Sequence, residues 1–380
     1  MAGIVLLARG HGYGHAARDL QIIRGLRQLR PDAEIVLASS GSGVEYFRFQ
    51  GIPCHDVGIA DRHDLSEQAV RRVWGFLQSL RDPDLVIADE VVWALPFCRR
   101  FFGCPRVLLT DWLYADHGMP QHDPFLNDAS EILVLDFAEA HPGPYDTQAP
   151  ITFTGPVVSK FPGDRYTARR QLGLGAQARM AVVSAGGVAD RPDARRIFKH
   201  TAEAWAAYAN PADVLFVLGV GYELPGMPGN IRLIPHTPSP EVYYQAADAV
   251  VTDATGLTCC EVVANGIPVV AMITSDALRF ARVYRARASL LESARGAVTA
   301  PLHGTIDMLW EALTDAMRLP RGGSLPPATL SWATGLDVAA RLLASGAAPA
   351  IAHGASPGDR LPAGGDLTGA GQPAEPGAAS

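Results

Sequence analysis

Three short stretches of the chain collect residues able to do chemistry. The first is Gly10-His11-Gly12-Tyr13-Gly14-His15-Ala16-Ala17-Arg18, where two imidazoles and a guanidinium lie among glycines. An imidazole exchanges a proton near neutral pH, and glycines without Cβ let a ligand approach the backbone. The second runs from Thr252-Asp253 through Gly256, Thr258 and Glu261. There the N–H groups of a helix start and the Thr258 hydroxyl can hold a diphosphate, and the Glu261 carboxylate can accept from a ribose diol. The third is Ser184-Ala185-Gly186-Gly187, whose glycine pair is what an approaching phosphate needs.

Each stretch has a strand before it and a helix after it. The apolar run Gly3–Ala8 leads into the first stretch, and Ala16, Leu20, Ile23 and Leu26 continue at helical spacing. A strand, a glycine-rich turn and a helix N-terminus offer unpaired N–H groups and a partial positive charge. The pattern is Gly-x-Gly-x-Gly-His rather than Gly-x-Gly-x-x-Gly, and Glu34-Ile-Val-Leu-Ala-Ser39 ends in serine where a dinucleotide-binding strand would end in a carboxylate. The loop therefore reads as a histidine at the mouth of a cleft, not as a nicotinamide site.

Apolar, β-branched runs alternate with helical segments along most of the chain. Strands are expected over 3–8, 34–38, 84–88, 106–110, 131–135 and 151–154, then over 180–184, 214–218, 230–234, 249–252 and 268–272. Helices are expected over 16–29, 43–49, 65–80, 92–102 and 124–127, then over 192–208, 240–246, 257–264, 276–291, 305–317 and 331–344. Runs apolar on both faces and separated by helices imply parallel sheets covered on both sides. The fold class is α/β, with two Rossmann-like, doubly wound domains facing a cleft. One domain is expected over 1–155, a Pro- and Gly-rich linker over 156–164, and a second domain over 165–325. A C-terminal helix over 326–344 is expected to pack back on the first domain, and 345–380, rich in Gly, Ala and Pro, reads as a disordered tail.

Composition excludes several function classes. The net charge of −7 gives no basic face for a nucleic-acid partner. Cys54, Cys98, Cys104, Cys259 and Cys260 include no Cys-x-x-Cys pair, so they read as small thiols in a reducing compartment. No apolar run reaches the roughly 18 residues of a spanning helix, and the first residues enter a strand without a signal-like segment. The expectation is a cytoplasmic protein without stable membrane insertion.

The Gly-x-Gly-x-Gly-His15 loop after the first strand, together with Gly256-x-Thr258-x-x-Glu261 and Asn265-Gly266-x-Pro268 after a late one, resembles the GT-B-fold glycosyltransferases. Within them it is most similar to the branch of the lipid-linked N-acetylglucosaminyltransferase of peptidoglycan synthesis and its bacterial small-molecule relatives. The resemblance covers about residues 1–320. It implies an inverting, metal-independent transferase that needs no cofactor. A nucleotide-diphosphate sugar, with a UDP-sugar as the expected donor, would pass its sugar to a small-molecule acceptor. His15 would be the general base, with His11 as rival. The orienting carboxylate is expected to be Asp111, with Asp89 as the alternative. The donor would meet Gly14 and Arg18 on one wall and Ser184, Gly186, Gly187, Gly256, Thr258 and Glu261 on the other. The nucleobase would lie beside His236, and Asp276 would contact the sugar. No basic amphipathic helix suited to a membrane surface is evident, which favours a soluble acceptor. Gly14-His15-Ala-Ala-Arg18 is also similar to the first loop of a nucleotide-sugar hydrolase on the same scaffold, in which water replaces the acceptor. A non-catalytic sugar-nucleotide-binding protein is the third reading.

Overall fold

The computed structural model describes residues 3–10, 12–58, 66–111, 123–141, 143, 145, 147–175, 177–185, 192–219, 226–235, 237, 239–254, 256–274, 281–322 and 330–347. In the first half the strands are β1 (Gly3–Leu7), β2 (Glu34–Ser39), β3 (His55–Asp56), β4 (Leu85–Asp89), β5 (Arg106–Thr110), β6 (Glu131–Val134) and β7 (Ile151–Phe153). The helices between them are α1 (Tyr13–Leu29), α2 (Gly41–Phe49), α3 (Glu67–Ser79), α4 (Leu95–Phe101) and α5 (Asp123–Leu126). The second half opens with α6 (Arg165–Gln171), β8 (Met180–Ser184), α7 (Pro192–Tyr208), β9 (Val214–Leu218), β10 (Ile231–Ile234) and α8 (Pro240–Ala246). It continues through β11 (Ala249–Asp253), α9 (Leu257–Ala264), β12 (Val269–Ile273), α10 (Ala281–Ser293), β13 (Ala297–Pro301), α11 (Ile306–Arg318) and α12 (Gly335–Ala347).

The strands form two sheets that are parallel throughout. The first has the order β3-β2-β1-β4-β5-β6-β7 and the second β10-β9-β8-β11-β12-β13. Both orders reverse direction once, between β1 and β4 and between β8 and β11. In open α/β sheets, ligands bind outside the strand C-termini at such switch points.

Strand alternation feeds two core layers per sheet. Ile4 and Leu6 of β1 pack with Leu20 and Ile23 of α1, whereas Val5 and Leu7 pack on the opposite face with Val73 and Leu77 of α3. In the second sheet Met180 and Val182 meet Val262 and Val263 of α9, while Ala181 and Val183 meet Phe198 and Trp205 of α7. Each Val, Leu, Ile, Phe or Met among them, taken fully out of water, contributes about 1.5–3 kcal/mol.

The polypeptide crosses between the sheets twice, and the two crossings touch. Gly155, at φ +81°, lies so close to Ser331 that a Cβ would come within 2.1 Å of its carbonyl oxygen. The amide of Val158 donates to the Ala333 carbonyl at 2.8 Å, and that of Ala333 donates to the Pro156 carbonyl at 3.0 Å. After this return, α12 packs on α1, with Val338, Ala339 and Leu342 in the core beside β1. The helix begins four residues later and ends three residues later than its sequence pattern suggested, so 345–347 close α12 instead of opening a tail. The rest of the expected tail, 348–380, lies outside the described residues.

Candidate active site

Glycines shape the loop after β1, and they act in different ways. Gly10 is pressed against the next loop: a Cβ there would meet the Ser40 carbonyl oxygen at 2.5 Å. The Ser42 hydroxyl donates to the Gly10 carbonyl and accepts from the Gly12 amide, both at 2.8 Å. Gly12 itself has φ +78°, conformational freedom that glycine supplies at no steric cost. Gly14 faces open space, with nothing within 4 Å of an added Cβ. The close ligand approach expected of the whole loop is thus available at Gly14, while Gly10 and Gly12 serve the fold.

His15 lies in the first turn of α1 at the β1–β4 switch point. Its Nδ1 is 3.0 Å from Asp89 Oδ2, and Arg9 Nη1 is 3.0 Å from its Nε2. Arg18 Nη2 comes within 2.8 Å of Nδ1 and also pairs with Asp89 Oδ1. An arginine can only donate. The tautomer with the proton on Nδ1 satisfies both Asp89 and Arg9, whereas the other satisfies Arg18 alone. Nε2 therefore carries the lone pair. The His15 side chain is 14% exposed above a fully buried Asp89, the arrangement of a base backed by its orienting carboxylate.

The carboxylate on His15 is that of Asp89, not the expected Asp111. The reason is strand order: β4 is the direct neighbour of β1, and β5 lies one strand further out. A strand spacing of about 4.8 Å puts the end of β4 within reach of the loop and the end of β5 beyond it. Asp111 instead sits beneath Arg18, with Oδ2 3.9 Å from Nη1, and its amide donates to Glu90 Oε1 at 3.1 Å. Glu90 turns the chain at the end of β4 with φ +61°, a conformation costing a residue with a side chain about 1–2 kcal/mol.

Charges inside this cluster decide its protonation. Burial alone would raise the Asp89 carboxyl, but the Arg18 guanidinium and the His15 ring outweigh it and hold Asp89 below the ordinary carboxylate range. Asp111 is likewise lowered, with burial opposed by the charges of His15 and Arg18. Asp19 goes the other way, pushed well up by burial and by the Asp89 charge. Arg18, expected on the donor wall, is buried among these acids, so its charge is drawn to Asp89 and Asp111.

Across the cleft, Ser184 ends β8 and Thr258 lies in the first turn of α9, so both stand at the second switch point. The buried Tyr244 hydroxyl donates to Ser184 Oγ at 3.0 Å, and burial pushes the phenol up to about 12. The Gly256 amide donates to Asp253 Oδ1 at 3.0 Å and sets the start of α9. Glu261 Oε1 accepts from the Ser159 amide at 3.2 Å and its hydroxyl at 2.5 Å. Asn265 holds the same linker: Oδ1 accepts from the Phe161 amide and Nδ2 donates to the Ser159 carbonyl, both at 2.8 Å. The Asn265 of the late motif is therefore a linker anchor.

One cavity of about 540 Å³ joins the two walls. Gly14, Ala17, Arg18 and Gln21 of α1 line it on one side, with Tyr46 and Phe49 of α2. Ser184, Thr237, Thr258 and Glu261 line the other, with Ile234 and Pro235 at the end of β10. Gln21, Tyr46 and Ser159 were not singled out in the sequence. The signal for Gln21 was present, because Gly14, Ala17, Arg18 and Gln21 recur every three or four residues on one face of α1. His11, Gly186, Gly187, His236 and Asp276 lie outside the described residues. Among the described residues no cluster of His, Cys, Asp and Glu has the makings of a metal site, and no helix is long and apolar enough to cross a membrane.

No protein-family model matches the chain, and no curated protein matches it in sequence. Solved structures do match in fold. MurG of Acinetobacter baumannii superposes with TM-score 0.62 at 16% identity, over 90% of this chain and 100% of that one. The glycosyltransferase VinC, solved in complex with dTDP, matches with TM-score 0.57 at 13% identity, over 90% and 99%. UGT2 of Phytolacca americana, complexed with UDP-2-fluoroglucose and pterostilbene, matches with TM-score 0.58 at 13% identity, over 84% and 91%. The two parallel, doubly wound sheets are thus the GT-B fold of the glycosyltransferases, as the paired motifs led one to expect.

Proposed function

We propose that the protein is an inverting glycosyltransferase that moves a sugar from a nucleoside-diphosphate donor, a UDP-sugar, to a soluble small-molecule acceptor. One arrangement carries this reading: a histidine backed by a buried carboxylate stands at one switch point between Gly14 and Arg18, which line the same cavity as Thr258 and Glu261 of the helix start at the other. Nucleotide-bound structures among the fold neighbours support a nucleotide-sugar donor.

The chemistry follows from the groups present. The acceptor hydroxyl takes the place of Arg9 at His15 Nε2 and gives up its proton there as its oxygen attacks the anomeric carbon. The bond from that carbon to the diphosphate oxygen breaks, and the nucleoside diphosphate leaves with the electron pair. Backbone N–H groups at the start of α9 and the Thr258 hydroxyl stabilise the departing anion. Asp89 holds the ring and stabilises the imidazolium that forms. A single displacement inverts the anomeric centre.

A panel of nucleotide sugars, assayed for nucleoside diphosphate release with and without candidate acceptor alcohols, tests the reading. An α-linked donor should give a β-linked product by proton NMR. Retention of the α configuration would rule out direct displacement. Free sugar formed equally fast without acceptor would make the enzyme a hydrolase.

A further inference from the structure

The histidine proposed as base is capped in this structure. Arg9, two residues beyond β1, donates from Nη1 to the lone pair of His15 Nε2 at 3.0 Å. That lone pair is what an acceptor proton needs. Nδ1 cannot serve instead, because Asp89 and Arg18 approach it at 3.0 and 2.8 Å.

An acceptor must therefore draw a guanidinium away before it can give up a proton. A neutral alcohol offers little for this exchange, because it replaces a charge-assisted hydrogen bond with a neutral one and strands the cation. A carboxylate or phosphate on the same molecule is a better acceptor for the guanidinium than a neutral imidazole, since it takes two parallel N–H···O bonds. Arg18, the other cation beside the ring, does not suit this role: it is sealed from water, paired with Asp89, and 3.9 Å from Asp111.

Position distinguishes which ligand would carry the anion. Among the described residues, Gly14 and Arg18 line the cavity shared with Thr258 and Glu261, but neither Arg9 nor His15 does. The proposed diphosphate contacts lie across that cavity, whereas Arg9 stands on the base itself. Resting on the transferase reading, we propose that the acceptor bears an oxyanion, a carboxylate or a phosphate, beside the hydroxyl that is glycosylated, and that Arg9 binds it. Capture of the oxyanion takes Arg9 off Nε2 and frees the base only when an acceptor is present. Water carries no such group, so the same contact suppresses hydrolysis of the donor.

Diethyl pyrocarbonate acylates an imidazole through a free lone pair, so it reads the cap directly. Carbethoxylation of His15 in the full chain is followed by tandem mass spectrometry and scaled to His200 of α7. It should be about tenfold faster in Arg9→Gln than in the wild type, the worth of one charge-assisted hydrogen bond. Acetate and methyl phosphate should raise the wild-type rate toward that of Arg9→Gln and leave the variant unchanged, whereas acetamide should do nothing. Glycolate, which adds a hydroxyl to the same anion, should give less labelling than acetate because the hydroxyl takes the freed lone pair. A wild type that labels as fast as Arg9→Gln, or ignores both anions, would overturn the proposal. So would equal labelling with glycolate and acetate, or acceleration by UDP alone, which would assign the anion to the donor. The anion series needs no substitution and decides the matter even if Arg9→Gln does not fold. The transferase reading fails separately, when no nucleotide sugar releases its nucleoside diphosphate, and the labelling does not depend on that outcome.

Discussion

Arg287 of α10 grips Asp136, two residues beyond β6, through both carboxylate oxygens: Nε donates to Oδ1 at 3.0 Å and Nη2 to Oδ2 at 2.7 Å. Both side chains are sealed from water, and His141 Nε2 lies 3.0 Å from the same carboxylate. The pair joins the two sheets' domains. Burial would raise the Asp136 carboxyl, but the Arg287 charge prevails and holds it below the ordinary range.

The clasp has a defined pH signature. Unfolding returns Asp136 to a pKa of about 3.9, above its folded value, so the folded state binds fewer protons. Its stabilisation is complete above that value and is lost as pH falls through the folded pKa. Asp136→Asn should cost about 3–5 kcal/mol at neutral pH, because it strands a buried guanidinium. Urea unfolding should show the gap to wild type narrowing below about pH 4. A gap constant down to acid pH would contradict the assignment.

Gly14 separates ligand approach from stability. Alanine is the better helix residue by about 0.5–1 kcal/mol and meets nothing in the protein, so Gly14→Ala should leave Tm unchanged or higher. If the donor passes close to this backbone, turnover should fall by about tenfold or more through misplacement. Unchanged turnover would place the ligand elsewhere.

Much of the fold was legible because its strands are buried on both faces and read as continuous apolar runs. The two strands missed lack such runs: β3 is the exposed dipeptide His55–Asp56, and β13 is Ala297–Pro301, a small-residue stretch ending in proline. His15, Thr258 and Glu261 were legible because glycine-rich turns and helix starts mark them locally. The partner of His15 was not, since Asp89 and Asp111 both stand at strand C-terminal ends and only lateral strand order separates them. Nor was the anchoring of Glu261 by Ser159, across 102 residues of sequence.

Replacement of the two aspartates distinguishes their roles. Asp89→Asn should lower kcat by about 10²–10⁴-fold, because the amide favours the wrong imidazole tautomer. Asp111→Asn should cost less than about tenfold, since its side chain meets Arg18 and not the ring. Nucleotide affinity should be preserved in both. Comparable losses in the two variants would remove Asp89 from its special place.

The α1–α12 contact depends on glycine at a crossing point. A Cβ on Gly335 would lie 2.4 Å from the Gln21 backbone, so Gly335→Ala must push the helices apart. Thermal unfolding should show a loss of about 1–3 kcal/mol. An unaltered Tm would mean that α12 yields without cost.

The proposed displacement depends on His15 as the base. Nucleoside diphosphate release from the best nucleotide sugar should drop by about 10²–10⁴-fold in His15→Ala, the usual worth of a general base. The same variant should bind the nucleoside diphosphate within about twofold of wild type, because the contacts proposed for its phosphates and ribose lie on α9 and not on His15. Wild-type turnover in His15→Ala, with binding intact, would contradict the assignment of His15 as the base.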